Sequence, residues 1–158
     1  MSYTIICVGR LKEDYLRQAQ SEYLKRLSPY KARVIEIPPE KLPDSPSPAE
    51  KENALRKEGE RIIAAIPKNS KKYALCIEGR QMTSEQFSAM LSKSMTAGAS
   101  AHTFIIGGSF GLSDEVKALC EGKISFSPMT FPHQLFRIML LEQLYRAEQI
   151  IQGTKYHK

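Results

Sequence analysis

Two hydrophobic periods alternate along this chain. "YTIICVG" (3–9) is a short apolar run with no helical period, which predicts a buried strand. "DYLRQAQSEYLKRLS" (14–28) then sets Leu16, Ala19, Tyr23 and Leu27 three or four residues apart, the face of a helix. "ARVIEIP" (32–38) predicts a second strand, and Ala49 to Ile66 a helix with a charged outer face and an apolar end at Ile62, Ile63 and Ile66. Between them "PPEKLPDSPSP" (38–48) carries five prolines and no period, so it is a loop and the one point where an insertion would sit.

The same alternation continues. "YALCI" (73–77) predicts a third strand closed by Glu78-Gly79. Thr83, with Gln86 three residues on, is a capping-box signature for a helix reaching about Thr96. "HTFII" (102–106) predicts a fourth strand, Ser113 to about Cys120 a short helix, and "KISFS" (123–127) a fifth strand. Pro132 suits the first turn of a last helix, which runs to about Gln152 before Gly153 ends it. Strands and helices in turn predict an α/β fold, a mostly parallel sheet with helices on both faces, in one domain over 1–158.

Composition narrows the setting. No apolar run approaches the roughly 20 residues a membrane-spanning helix requires, and "MSYTIICVGRLKEDY" has no basic lead, which suits a first strand and not a signal peptide. Cys7, Cys76 and Cys120 are an odd number with no C-x-x-C spacing, and the three histidines form no paired ligand motif. A cytoplasmic protein without a metal site is expected. The net charge of +6 favours an anionic partner such as nucleic acid, or marks only a well-solvated surface.

Two stretches carry candidate chemistry. "FIIGGSFGLSDEV" (104–116) runs from strand through glycine turn to helix start, as nucleotide sites do. A dinucleotide site would place its glycines after the first strand, where only Gly9 stands, and a P-loop requires Lys then Ser or Thr where Leu112-Ser113 stand. Either these glycines let a ligand approach the main chain closely, or they only permit a tight turn. The last helix, "TFPHQLFRIMLLEQLYRAEQIIQG", is apolar on more than one side. Leu140, Leu144 and Ile151 lie nearly opposite Leu135, Ile138 and Met139, with Phe136 and Ile150 between. A helix apolar all round is buried all round, which in a chain this short implies a homodimer. His133 and Arg137 share one face beside the helix start and suggest a site. Glu142 and Arg146, four apart on another face, suggest a structural ion pair.

Taken together, "IIGGSFGLSDEV", "SFSPMTFPHQLFRIMLLEQLYRAEQII" and the terminal "YHK" resemble the ribosomal RNA large-subunit methyltransferase H family, of the SPOUT class. "VGRLKEDY", "EYLKRL" and "KEGERI" extend the resemblance over nearly the whole chain. It implies a homodimeric enzyme with a C-terminal trefoil knot that transfers methyl from S-adenosylmethionine to N3 of pseudouridine 1915 in 23S rRNA on the assembled ribosome. Carried over by motif, Leu75, Gly107 and the loop Phe126, Ser127, Pro128, Met129, Thr130 and Phe131 would hold the cofactor. A phosphate-free ligand would explain glycines that match no phosphate motif.

The acceptor nitrogen bears a proton and is a poor nucleophile until it leaves, so a base or nearby cations would help. His133, Arg137, Tyr156 and His157 are the side chains on offer, with Arg146 and Lys158 as cationic support. Either His157 or His133 would take the proton, and Arg137 would orient the ring or a phosphate. Arg10, Lys12, Arg17, Lys25 and Arg26 are either phosphate contacts or a solvated face. The rival readings are a non-catalytic ribosome-binding factor, which would bind no cofactor, another nucleotide-handling enzyme such as a phosphohydrolase, and a SPOUT enzyme acting on tRNA.

Overall fold

A computed structural model describes residues 1–157, so Lys158, one of the expected cationic supports, lies outside the described residues. Five strands form one sheet: β1 (Ser2–Val8), β2 (Arg33–Ile37), β3 (Lys71–Gln81), β4 (Ala101–Ile106) and β5 (Gly122–Ser125). Their order is β2-β1-β4-β3-β5, and every pairing is parallel. Between them run α1 (Asp14–Arg26), α2 (Pro48–Ala65), α3 (Ser84–Thr96), α4 (Asp114–Ala118) and the final α5 (His133–Ile151).

Strand alternation divides the core in two. Tyr3, Ile5 and Cys7 of β1, with Phe104 and Ile106 of β4, face a layer that includes Leu27, Phe87, Leu91, Leu140, Leu141 and Leu144, beside α1, α3 and α5. Ile6 and Val8, with Ile105, face Ile62, Leu112 and Val116 on the α2 and α4 side. Helices thus cover both faces, and the central strands are mostly apolar because both of their sides are buried, with Thr4, His102 and Thr103 as buried polar exceptions. On the α5 side, Ser88 donates to the Ala147 carbonyl at 3.0 Å and the Tyr3 hydroxyl donates to the buried Glu148.

Several boundaries differ from the sequence expectation, and β5 ends at Ser125, short of the expected Ser127. β3 does not stop at Glu78-Gly79. Ile124 of β5 pairs first with Leu75 and again with Arg80, so residues 76–79 bulge outward and the strand resumes. A Cβ on Gly79 would lie 2.5 Å from the Ile124 carbonyl carbon, so the bulge requires glycine there. α2 starts at Pro48, capped by Ser47, whose hydroxyl accepts from the Glu50 N–H at 3.2 Å while Glu50 reaches back. Pro132 is the cap of α5 and lies just outside its first turn. The proline loop is stitched to α2: Glu40 pairs with Arg61 at 2.6 Å and Lys57 at 3.3 Å, and Arg61 donates to the Pro38 carbonyl at 2.9 Å.

His102 on β4 has no exposed surface; its ring lies near-parallel to Tyr73, 6.1 Å between centroids, and Nε2 meets the Ser94 hydroxyl at 2.9 Å. Burial, then Lys71 and the chain's own ammonium, depress its pKa to about 4. The unfolded chain therefore binds this proton below about pH 6.5 while the folded chain refuses it until about pH 4. Stability should fall as pH drops through that window. Urea midpoints at pH 7.5 and pH 5 should differ less in His102→Phe than in the wild type.

Candidate active site

The carboxyl ends of β3, β4 and β5 open into a cleft of about 480 Å³. Open α/β sheets bind ligands at this end of their strands, and the volume lies in the range of small-molecule sites. Leu75, Ile106 and Ile124 form its floor. One wall is the turn Gly107–Leu112, the other Phe126, Ser127, Met129, Thr130 and Phe131, and His133 and Phe136 reach it from α5. Of the residues expected to hold a cofactor, Pro128 alone is off the wall, within the same loop.

The glycine turn is explained by the chain itself. Gly111 N–H donates to the Gly108 carbonyl at 3.0 Å, and a Cβ on Gly107 would stand 2.3 Å from the Gly111 oxygen. Gly111 has a φ of +80°, where side chains are strained. Gly107 is thus required as glycine by the turn itself, and it also lines the cleft where the cofactor contact is expected.

The 76–79 bulge places Cys76, Ile77 and Glu78 on the cleft lip, where Lys117 of α4 pairs with Glu78 at 2.5 Å. Sequence reasoning left Glu78 alone and Lys117 unnoticed, since only the bulge brings them together. Apolar floor, aromatic side wall and exposed main chain, with the Lys117 cation already paired, suit an adenosine and methionine group better than a phosphate.

His133 and Arg137 share a face but have different fates. The His133 ring lines the cleft, half-buried, its Nε2 3.4 Å from where a Gly9 Cβ would stand, and has no hydrogen-bond partner among the described residues. Burial lowers its pKa, and the Arg137 and Lys12 cations push the same way, so the ring stays neutral. Arg137 is wholly buried. Its guanidinium donates to Glu36 at 2.7 Å, to the Gly9 carbonyl at 2.9 Å and to Gln20 at 3.3 Å, leaving only Nε unpartnered. A group so enclosed cannot reach an RNA base, so the expected ring-orienting role is corrected to one of holding α5 against β1 and β2.

Tyr156 and His157 are not brought to His133. Glu142 and Arg146 organise them: Arg146 lies over the Tyr156 ring at 5.0 Å and donates to His157 Nδ1 at 3.2 Å, and Tyr156 donates to Glu142 at 3.3 Å. His157 Nε2 donates to Glu85 at 2.7 Å, so both ring nitrogens are engaged. The Glu142–Arg146 pair, 2.6 Å apart, thus holds the tail. Glu142 also lines a second cleft of about 470 Å³ between α3 and α5, whose wall includes Phe126 and Phe131 of the first.

The family model described as "Predicted SPOUT methyltransferase" matches residues 1–157. Proteins named "Ribosomal RNA large subunit methyltransferase H" from Carboxydothermus hydrogenoformans and Exiguobacterium sibiricum are each 51% identical to this chain over 159 aligned positions. The protein of that name from Listeria monocytogenes is 49% identical, and all three alignments cover the whole of both chains. The chain belongs to the SPOUT methyltransferase family.

The Arg137 geometry makes an asymmetric prediction. Glu36→Ala strands a buried cation and should cost about 3 kcal/mol. Arg137→Met removes the buried charge itself and should cost less. The double variant should fall well short of the sum, as urea denaturation will show.

Proposed function

We propose that this SPOUT methyltransferase uses S-adenosylmethionine to methylate N3 of a pseudouridine in large-subunit ribosomal RNA, pseudouridine 1915 of 23S rRNA, on assembled ribosomes in the cytoplasm. The observation that carries the reading is the phosphate-unlike cleft with a neutral, unengaged imidazole at its rim. Its full-length relatives bear the name of that activity.

Leu75, Ile106, Ile124 and the Phe126–Phe136 pair, rings 4.7 Å apart, would exclude water from the cofactor, and the main chain of 107–111 and 127–130 would supply its polar contacts. The cofactor brings an already activated methyl on sulfonium, so alignment is the protein's main task. His133 then takes the N3 proton on a ring nitrogen; His157, with both nitrogens committed, does not. Tyr156 and His157, fixed beside the second cleft, would close the acceptor side.

A homodimer belongs to the same reading. α5 buries Leu140, Leu141 and Leu144 within the chain, while Leu135 is exposed and Ile138 and Met139 are only half-covered. That uncovered side suits a second copy. The C-terminal trefoil knot that comes with the resemblance would bring the 107–112 and 126–131 loops together, as the cleft requires.

Calorimetry with S-adenosylhomocysteine should show binding that Thr130→Trp, a side chain grown into the cleft, abolishes without unfolding. His133→Gln should keep that binding and lose at least about a hundredfold in single-turnover methylation of assembled ribosomes. Because the working form of His133 is unprotonated and its pKa is lowered, wild-type rate should hold to below about pH 6.5 and fall only beneath it. A folded wild type that binds no S-adenosylhomocysteine sinks the reading.

A further inference from the structure

The segment Gly9 to Tyr15, which leads from the end of β1 into the first turn of α1, is braced yet leaves three side chains unused. Gly9 turns it with a φ of +96°, and its carbonyl accepts from the buried Arg137 at 2.9 Å. Arg17 folds back from α1, donating to the Leu11 carbonyl at 2.7 Å and the Lys12 carbonyl at 3.1 Å, and neutralises Asp14. Lys12 N–H donates to Gln134 Oε1 at 2.7 Å, which fastens the segment to the first turn of α5 beside His133.

Three of the segment's own side chains take no part in this bracing. Arg10 and Lys12 are exposed, and among the described residues neither side chain has a hydrogen bond or ion pair. Tyr15 is 67% exposed and stacks on nothing among the described residues. With Asp14 neutralised, the two cations stand against Glu13 alone. Ordering a chain costs roughly 1–2 kcal/mol per residue, so a braced segment that projects two cations and an aromatic ring is a built surface.

Resting on the function proposed above, we infer that Arg10, Lys12 and Tyr15 form the surface that docks single-stranded RNA beside the cleft, phosphates on the two cations and a base flanking the target on the Tyr15 ring. The chemistry fits that partner on three counts. N3 lies on the pairing edge of its base, so the target must be unpaired when methylated. Unpaired strands are bound by cations tracking the backbone and aromatic rings stacking on bases, the latter contributing about 1–3 kcal/mol each. The Lys12 tether to Gln134, next to His133, sets the strand's path at the rim where the proton leaves.

The experiment measures affinity of the full-length protein for assembled ribosomes across a salt series, with S-adenosylhomocysteine calorimetry and sedimentation on the same samples. Arg10→Gln with Lys12→Gln should lower ribosome affinity tenfold or more and flatten the salt slope by roughly one for each phosphate no longer neutralised. Tyr15→Ala should lower affinity about fivefold or more and leave the slope unchanged. Lys93→Gln on α3, at the opposite end of the sheet, should behave as wild type. Unchanged ribosome affinity in both the double variant and Tyr15→Ala overturns the inference. So does a loss of dimer, which would make the segment a contact between copies of the chain, or a loss of S-adenosylhomocysteine binding, which would make it structural. A wild type that binds cofactor yet neither binds nor methylates assembled ribosomes refutes the ribosomal reading itself, and the docking surface falls with it.

Discussion

A single cation without access to water ties this fold's catalytic end together. Arg137 sits inside, with Glu36 of β2, the carbonyl that follows β1 and Gln20 of α1 around its guanidinium. A buried charge must be paired where it stands, so helix and strand ends cannot shift independently without stranding it. His133 lies one helical turn before Arg137, and its place at the cleft rim is inherited from that anchorage. The neutral state of His133 has a related origin, since burial acts first and Arg137's charge adds to it.

The cleft itself is made by two glycine-dependent irregularities in otherwise regular strands. At the end of β4 the chain crosses over itself at Gly107 and Gly111; in β3 it bulges over Ile124 at Gly79. Each lets backbone pass backbone at a distance no side chain tolerates, and the polar main chain so displaced becomes the cleft wall.

Much of this is legible in the chain. Short apolar runs mark every strand because the sheet is buried on both faces, and the Thr83–Gln86 box marks α3 correctly. The Ser47–Glu50 box is equally present, but five neighbouring prolines read more strongly as loop. The resumption of β3 at Arg80 has no local signal, since it depends on β5 lying alongside. Arg137 is misleading for the same reason: its main partners Glu36 and Gly9 are 101 and 128 residues away, and no helical period reveals them. Chemistry alone would set Tyr156 and His157 beside His133, while Glu85, Glu142 and Arg146 hold them elsewhere.

Phe126 and Phe131 belong to both clefts at once. An aromatic ring has two faces, and a rotamer that favours an occupant on one side alters the cavity on the other. The first cleft and the space between α3 and α5 are therefore adjoining chambers with one aromatic partition, and the shape of either is set in part by side chains that also shape the other.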